Sequence, residues 1–230
     1  MLHKDQGHNG VVSRGYRQFC GLARALELVG GRWALLVVRD LLTGPKRFTE
    51  LQDGLPGIPS NVLTSRLREL EEVGVVHRRV QARPGGAVVY ELTDYGLELE
   101  EPVMRLGFWG AKTMGPPDKG DFISLEALAV ALRGAFQPRH AHGPQRLYEL
   151  RIDGKALKLA VKSRQVTVPT ATLERPDIVV NTSAGVLSQL LAGKLDVDTA
   201  RTSGQLLLEG DPAEARRLFE MFRLPSSDDS

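Results

Sequence analysis

Asn61, Thr64, Ser65 and Arg68 are short polar groups and one guanidinium within a stretch whose apolar residues are Leu63, Leu67 and Leu70. Spacings of four and three place those leucines on one helical face, and at ~100° per residue the four polar side chains fall on the other. Asn can pair with adenine, Arg with guanine, and hydroxyls with phosphates or bases. A polar face of this kind is also what any amphipathic helix shows to water, so more than one helix is needed to decide. Downstream, Arg78, Arg79 and Arg83 fall between Val73 and Tyr90 with no acidic side chain among them. Upstream, Lys46 and Arg47 precede a short apolar segment. Phosphate neutralisation by Lys and Arg supplies most non-specific affinity for nucleic acid, so local clusters matter more than the formal net charge of +2.

Other chemistry is poorly served. His140 and His142 are two apart in a Pro/Gly-bearing stretch with no cysteine partner, whereas structural zinc needs four N/S ligands. There is no Gly-rich phosphate loop followed by Lys, no nucleophile elbow and no metalloprotease helix motif. Neither enzyme activity nor a metal or cofactor is expected. Cys20 is the single cysteine, which excludes an internal disulfide and agrees with a reducing cytoplasm. No apolar run approaches the ~18 residues of a membrane span, so no membrane partner is expected.

The elements that must position these side chains can be read along the 230 residues. Residues 22–29 and 33–42 have helical periodicity, separated by Gly30-Gly31. A short helix over 49–55, with Thr49 as its N-cap, leads through Pro56-Gly57 to the polar-faced helix, which Pro59-Ser60 open and Gly74 ends. Residues 75–82 and 87–92 alternate as strands around the tip Arg83-Pro84-Gly85-Gly86. Thr93 then caps a helix that runs to about 114 and bends at Pro102. Helix, helix, short helix, helix, hairpin, helix is the order of a winged helix, in which the helix before the hairpin enters the major groove of double-stranded DNA. The candidate DNA contacts are Lys46, Arg47, Ser60, Asn61, Thr64, Ser65, Arg68, Arg79 and Arg83. The last helix carries Leu97, Leu99, Val103, Met104, Leu106, Phe108 and Trp109, and Tyr16, Phe19 and Leu22 add to them. That is more apolar surface than one small domain buries, and a two-fold homodimer is expected there.

The linked motifs ALELVGGRW (25–33), LLTGPKRFTEL (41–51), LPGIPSNVLTSRLRELE (55–71), YELT (90–93) and Trp109-Gly110 resemble the HxlR family of winged-helix regulators, relatives of the MarR type. The resemblance implies a cytoplasmic, dimeric DNA-binding regulator with its recognition helix at 59–73 and its wing near Arg83. Family members often carry a cysteine before the first helix, in some a thiol sensor. Cys20 falls at that position, although Gly21 follows it where a proline is usual. Thiol-redox sensing through Cys20 is therefore an alternative mode of regulation.

Gly115-Pro116-Pro117-Asp118-Lys119-Gly120 cannot continue a helix and marks a linker. The expected organisation is an arm at 1–19, a winged-helix domain at 20–114, the linker at 115–120, an α+β domain at 121–225 and a tail at 226–230. In the second half, a helix over 124–136 is followed by strands at 147–152, 156–161, 165–169 and 177–182. A helix at 184–192, a strand at 205–209 and a helix opened by Asp211-Pro212 complete it. The runs RPDIVV (175–180), LSQLLAGKL (187–195) and GQLLLEGDP (204–212) resemble the sterol-carrier-protein type of α+β domain. Such a domain can enclose an apolar cavity. Phe136, Leu187, Leu190, Leu191, Leu206 and Phe219 are candidates to line a site for a small apolar effector, and they would equally make a core. A lipid or apolar-ligand carrier with an accessory helical domain is the competing function.

Overall fold

The computed structural model describes residues 15–81, 86–115, 117–118, 120–169 and 175–224. The chain is α+β, with two hydrophobic cores.

The first core is built by α1 (Gly21–Val29), α2 (Ala34–Leu41), α3 (Phe48–Gly54) and α4 (Ser60–Glu72), followed by strands β1 (Val76–Val80) and β2 (Val88–Leu92). Leu63, Leu67 and Leu70 of α4 are fully buried against Val37, Val38 and Leu51, as their helical spacing requires. Gly74 ends α4 at φ 73°, a left-handed conformation that costs glycine least. β1 and β2 pair antiparallel, Val76 opposite Leu92. Lys46 adds an isolated antiparallel bridge to β2, exchanging backbone hydrogen bonds with Tyr90 at 2.9 and 2.8 Å.

Two local expectations are corrected. Thr49 is not the cap of α3: the helix begins at Phe48, and the Glu50 carboxylate instead accepts the Arg47 backbone N–H at 2.6 Å. The closing helix is also not one helix bent at Pro102. It is divided into α5 (Asp94–Leu97) and α6 (Glu100–Ala111), with the break at Glu98 and Leu99. Pro102 lies in the first turn of α6, where its missing N–H has no intrahelical acceptor to lose. Thr93 does cap α5, its hydroxyl accepting from the Gly96 N–H at 3.0 Å while donating to the Gly74 carbonyl at 2.6 Å.

The second core lies between a five-stranded sheet and four helices. The helices are α7 (Leu125–Ala135), α8 (Ala184–Leu191), α9 (Val197–Thr202) and α10 (Pro212–Met221). The strands are β3 (Arg146–Ile152), β4 (Lys155–Lys162), β5 (Gln165–Thr167), β6 (Ile178–Thr182) and β7 (Leu206–Glu209), in the order β5-β4-β3-β6-β7. β3 and β6 run parallel and the other pairs antiparallel. Tyr148, Leu150 and Ile152 alternate inward from β3. Glu149 and Arg151 point to the opposite face, where Arg151 bridges Glu149 and Glu209 at 2.7 and 3.2 Å. α9 is not anticipated above. It is short, with only Val197 and Ala200 buried, and Asp196 caps it by accepting from the Asp198 and Thr199 N–H groups.

The two cores meet at α7. Its Ala129 and Leu132 belong to the second core, while Val130 packs into the first. α6 has no fully buried residue, but Val103, Met104 and Phe108 turn toward this junction, and a Cβ on Gly134 would sit 2.8 Å from the Phe108 ring. Polar ties reinforce the packing. Lys46 Nζ pairs with Glu126 at 3.0 Å, Arg133 donates to the Leu42 carbonyl at 2.8 Å, and Arg133 also pairs with Glu100.

Candidate DNA interface

α4 shows its outer side to solvent because its leucine stripe is consumed by the core. Ser60, Asn61, Thr64, Ser65 and Arg68 are all exposed there. The structure thus brings the five α4 candidates onto one surface. They differ in how committed they already are. Asn61 has no side-chain hydrogen bond among the described residues. Thr64 donates to the Ser60 carbonyl at 2.8 Å, and Ser60 Oγ accepts from Gln52 at 2.6 Å. Ser65 donates to Glu69 at 3.0 Å, and Arg68 pairs with Glu72 at 2.8 Å. The i,i+4 contacts of Thr64, Ser65 and Arg68 on this exposed helix face are weak, so a phosphate or base edge can replace them.

The wing carries a tighter pair. Arg79 grips Glu91 across the hairpin with two bonds, at 2.6 and 2.8 Å, and His77 Nε2 lies 2.8 Å from the same carboxylate. The Arg79 hydrogen bonds hold the Glu91 carboxyl down at about 2, so it stays ionised. Arg79 is exposed but already paired, whereas Arg78 beside it is exposed with no side-chain partner among the described residues. Arg83, at the tip, lies outside the described residues.

The turn before α3 splits the remaining pair. Arg47 is exposed and without a side-chain partner among the described residues. Lys46, expected beside a phosphate, is mostly buried in the ion pair with Glu126 of α7. Its charge therefore serves the domain junction. The partners are 80 residues apart in sequence, and no local pattern announces them.

Cys20 is exposed at the N-cap of α1, and the nearby Arg24 guanidinium is paired with Glu27 at 3.0 Å. The six candidate ligand-pocket residues do not gather around an opening. Leu187, Leu190, Leu191, Leu206 and Phe219 are buried members of the second core, and Phe136 packs on Phe222 with ring centroids 5.3 Å apart. A recess of about 170 Å³ lies elsewhere, lined by Leu42, Thr43, Arg133, Val166, Thr167 and Val168. Among the described residues, no cluster of metal-ligating side chains occurs and no helix is long and apolar enough to cross a membrane.

Comparison with known proteins places this geometry. Residues 28–118 match the HxlR-like helix-turn-helix family, and residues 133–223 match the SCP-2 sterol transfer family. The first half is 37% identical over 100 residues to the uncharacterized HTH-type transcriptional regulator YdeP of Bacillus subtilis, covering 44% of this chain and 78% of YdeP. It is 42% identical over 101 residues to YtcD of the same organism, another uncharacterized HTH-type transcriptional regulator, covering 44% of this chain and 80% of YtcD. Among solved structures, the redox regulator HypR in its oxidized form shares 35% identity, covering 42% of this chain and 99% of HypR at a TM-score of 0.39. The chain belongs to the HxlR-like helix-turn-helix family of transcriptional regulators and carries, behind that module, an α+β domain of the SCP-2 type.

Proposed function

We propose that the chain binds duplex DNA as a homodimer, reads base edges with the outer face of α4, and adjusts that binding through its second domain. The observation that carries this reading is the α4 surface, where five exposed polar side chains stand over a fully buried leucine stripe. Asn61 and Arg68 are the base readers, with Ser60, Thr64 and Ser65 beside them. Arg47, Arg79 and Arg83 serve phosphates, and Arg78 joins them by its exposure. Lys46 contributes only through the backbone of the wing.

The dimer surface is the apolar skin left uncovered by both cores. Leu106 and Trp109 of α6 are exposed, as are Tyr16, Phe19 and Leu22 at the start of the chain. Closing these on a second copy about a two-fold axis would set the two α4 helices roughly 34–36 Å apart, one turn of DNA. Fluorescence anisotropy on DNA recovered by genomic binding tests the reading. Arg68→Ala should cost about 1–3 kcal/mol and relax preference at one base pair, while Arg47→Ala should weaken all sequences and flatten the salt dependence. Unchanged affinity in both variants refutes it.

A thiol switch is a second reading, favoured by the exposure of Cys20 at a helix N-terminus. Under it, diamide should lower DNA affinity in the wild type and not in Cys20→Ser. Equal responses remove it.

A further inference from the structure

We propose that the recess at the domain junction is a binding site for a small carboxylate with a short apolar body. The six lining residues come from three places that bear on the whole molecule. Leu42 and Thr43 follow α2 and lead into the helix-turn-helix, Arg133 projects from the shared helix α7, Val166 and Thr167 belong to the β5 edge of the second domain, and Val168 follows it. A ligand seated here would touch both domains at once.

The chemistry follows from the lining. Among the described residues, Arg133 is its only charged group and no acidic side chain lines it. The guanidinium has five N–H donors. Among the described residues its partners are the Leu42 carbonyl and Glu100, so donors remain for a planar carboxylate. Thr43 donates its proton to the Asp40 carbonyl at 2.7 Å and cannot donate again, so it favours no anion of its own. Leu42, Val166 and Val168 offer apolar surface to the remainder of the ligand. At about 170 Å³ the recess is smaller than the ~300–1,000 Å³ of drug-sized sites, which limits that remainder to one ring or a short acyl chain.

A carboxylate on the remaining Arg133 donors shares the guanidinium with Glu100 of α6. Occupancy therefore ties the end of α2 to the β5 edge through Arg133 and links the helix-turn-helix to the second domain. This purpose rests on the regulatory reading above, whereas the binding itself does not require it.

The experiment titrates the full chain, without DNA, with sodium benzoate and separately with benzyl alcohol, following backbone amide resonances. Benzoate should shift Thr43 and Thr167 saturably, and benzyl alcohol should bind at least about tenfold more weakly, since hydrogen bonds to charged groups dominate. Thr167→Trp, at an exposed edge position, puts an indole into the recess while leaving the Arg133 residue itself in place, and should weaken benzoate by at least about tenfold. Three results overturn the site: no saturable shift at Thr43 and Thr167, shifts centred instead on core residues such as Leu187 and Leu190, or wild-type affinity in Thr167→Trp. Equal binding of benzyl alcohol overturns the carboxylate assignment. None of these outcomes bears on DNA recognition by α4, so the two readings fail separately.

Discussion

Asp40 should make the first domain more stable as the solution becomes mildly acidic. Its side chain is fully buried on α2. Oδ1 accepts from Arg39 Nε at 2.8 Å, but Oδ2 is buried without a partner among the described residues and faces Gly54, where a Cβ would stand 2.8 Å away. Burial pushes the Asp40 carboxyl up from the ordinary 3.8 to about 6. Arg39 opposes that rise, Glu126 adds to it and Lys46 subtracts. A raised carboxyl pKa means that the folded state holds the proton more tightly than the unfolded chain. Stability is therefore gained as pH falls through about 6 toward 3.8, and lost again as pH rises through that window. For these two values, linkage gives a gain on the order of 1.3 kcal/mol between pH ~7 and pH ~5. Asp40→Asn has no such proton to bind. Urea unfolding followed by tryptophan emission reports on the right domain, because Trp33 and Trp109 are the only tryptophans. The stability of the wild type minus that of Asp40→Asn should rise by about 1.3 kcal/mol from pH ~7 to pH ~5. A difference that does not change with pH, or one that changes in the opposite sense, would refute the reasoning.

Three further outcomes follow from the geometry. Glu72→Gln removes the carboxylate that holds Arg68 and should tighten DNA binding a few-fold at low salt, read by anisotropy. Gly134→Val inserts atoms against Phe108 and Met104, forcing α6 from α7, and should cost about 1–3 kcal/mol in urea unfolding. Trp109→Glu places a charge on the exposed apolar face of α6 and should yield monomers by light scattering, with near-native circular dichroism.

Local pattern made the α4 surface legible. Leu63, Leu67 and Leu70 declare which side is buried, and that alone assigns Asn61, Thr64, Ser65 and Arg68 to the other. The hairpin and most strands of the second domain were legible for the same reason, since alternation with turn residues has few other solutions. What was hidden depends on contacts across the chain. The apolar stripe of α7 says that the helix is covered, not that Val130 enters one core while Leu132 enters another. Lys46 reads as a surface cation until Glu126 is placed beside it. Pro102 reads as a bend because proline breaks helix interiors, but the chain already pauses at Glu98 and Leu99, which makes its position harmless. The leucines of α8 fit a cavity wall and a packed core equally by sequence, and only their neighbours decide.

Because one helix contributes side chains to both cores, neither half can lose its packing privately. Unfolding of the sheet domain would strip Val130, Glu126 and Arg133 from the helix-turn-helix module, and the loss would propagate into α2 and α6. Heating should then melt the chain as one cooperative unit, with no window in which an intact DNA reader trails a molten passenger. In a cell this makes the second domain a quality gate. A core substitution there such as Leu190→Ala, far from any DNA, would lower the number of competent regulators through turnover of unfolded chains, without altering the affinity of those that remain.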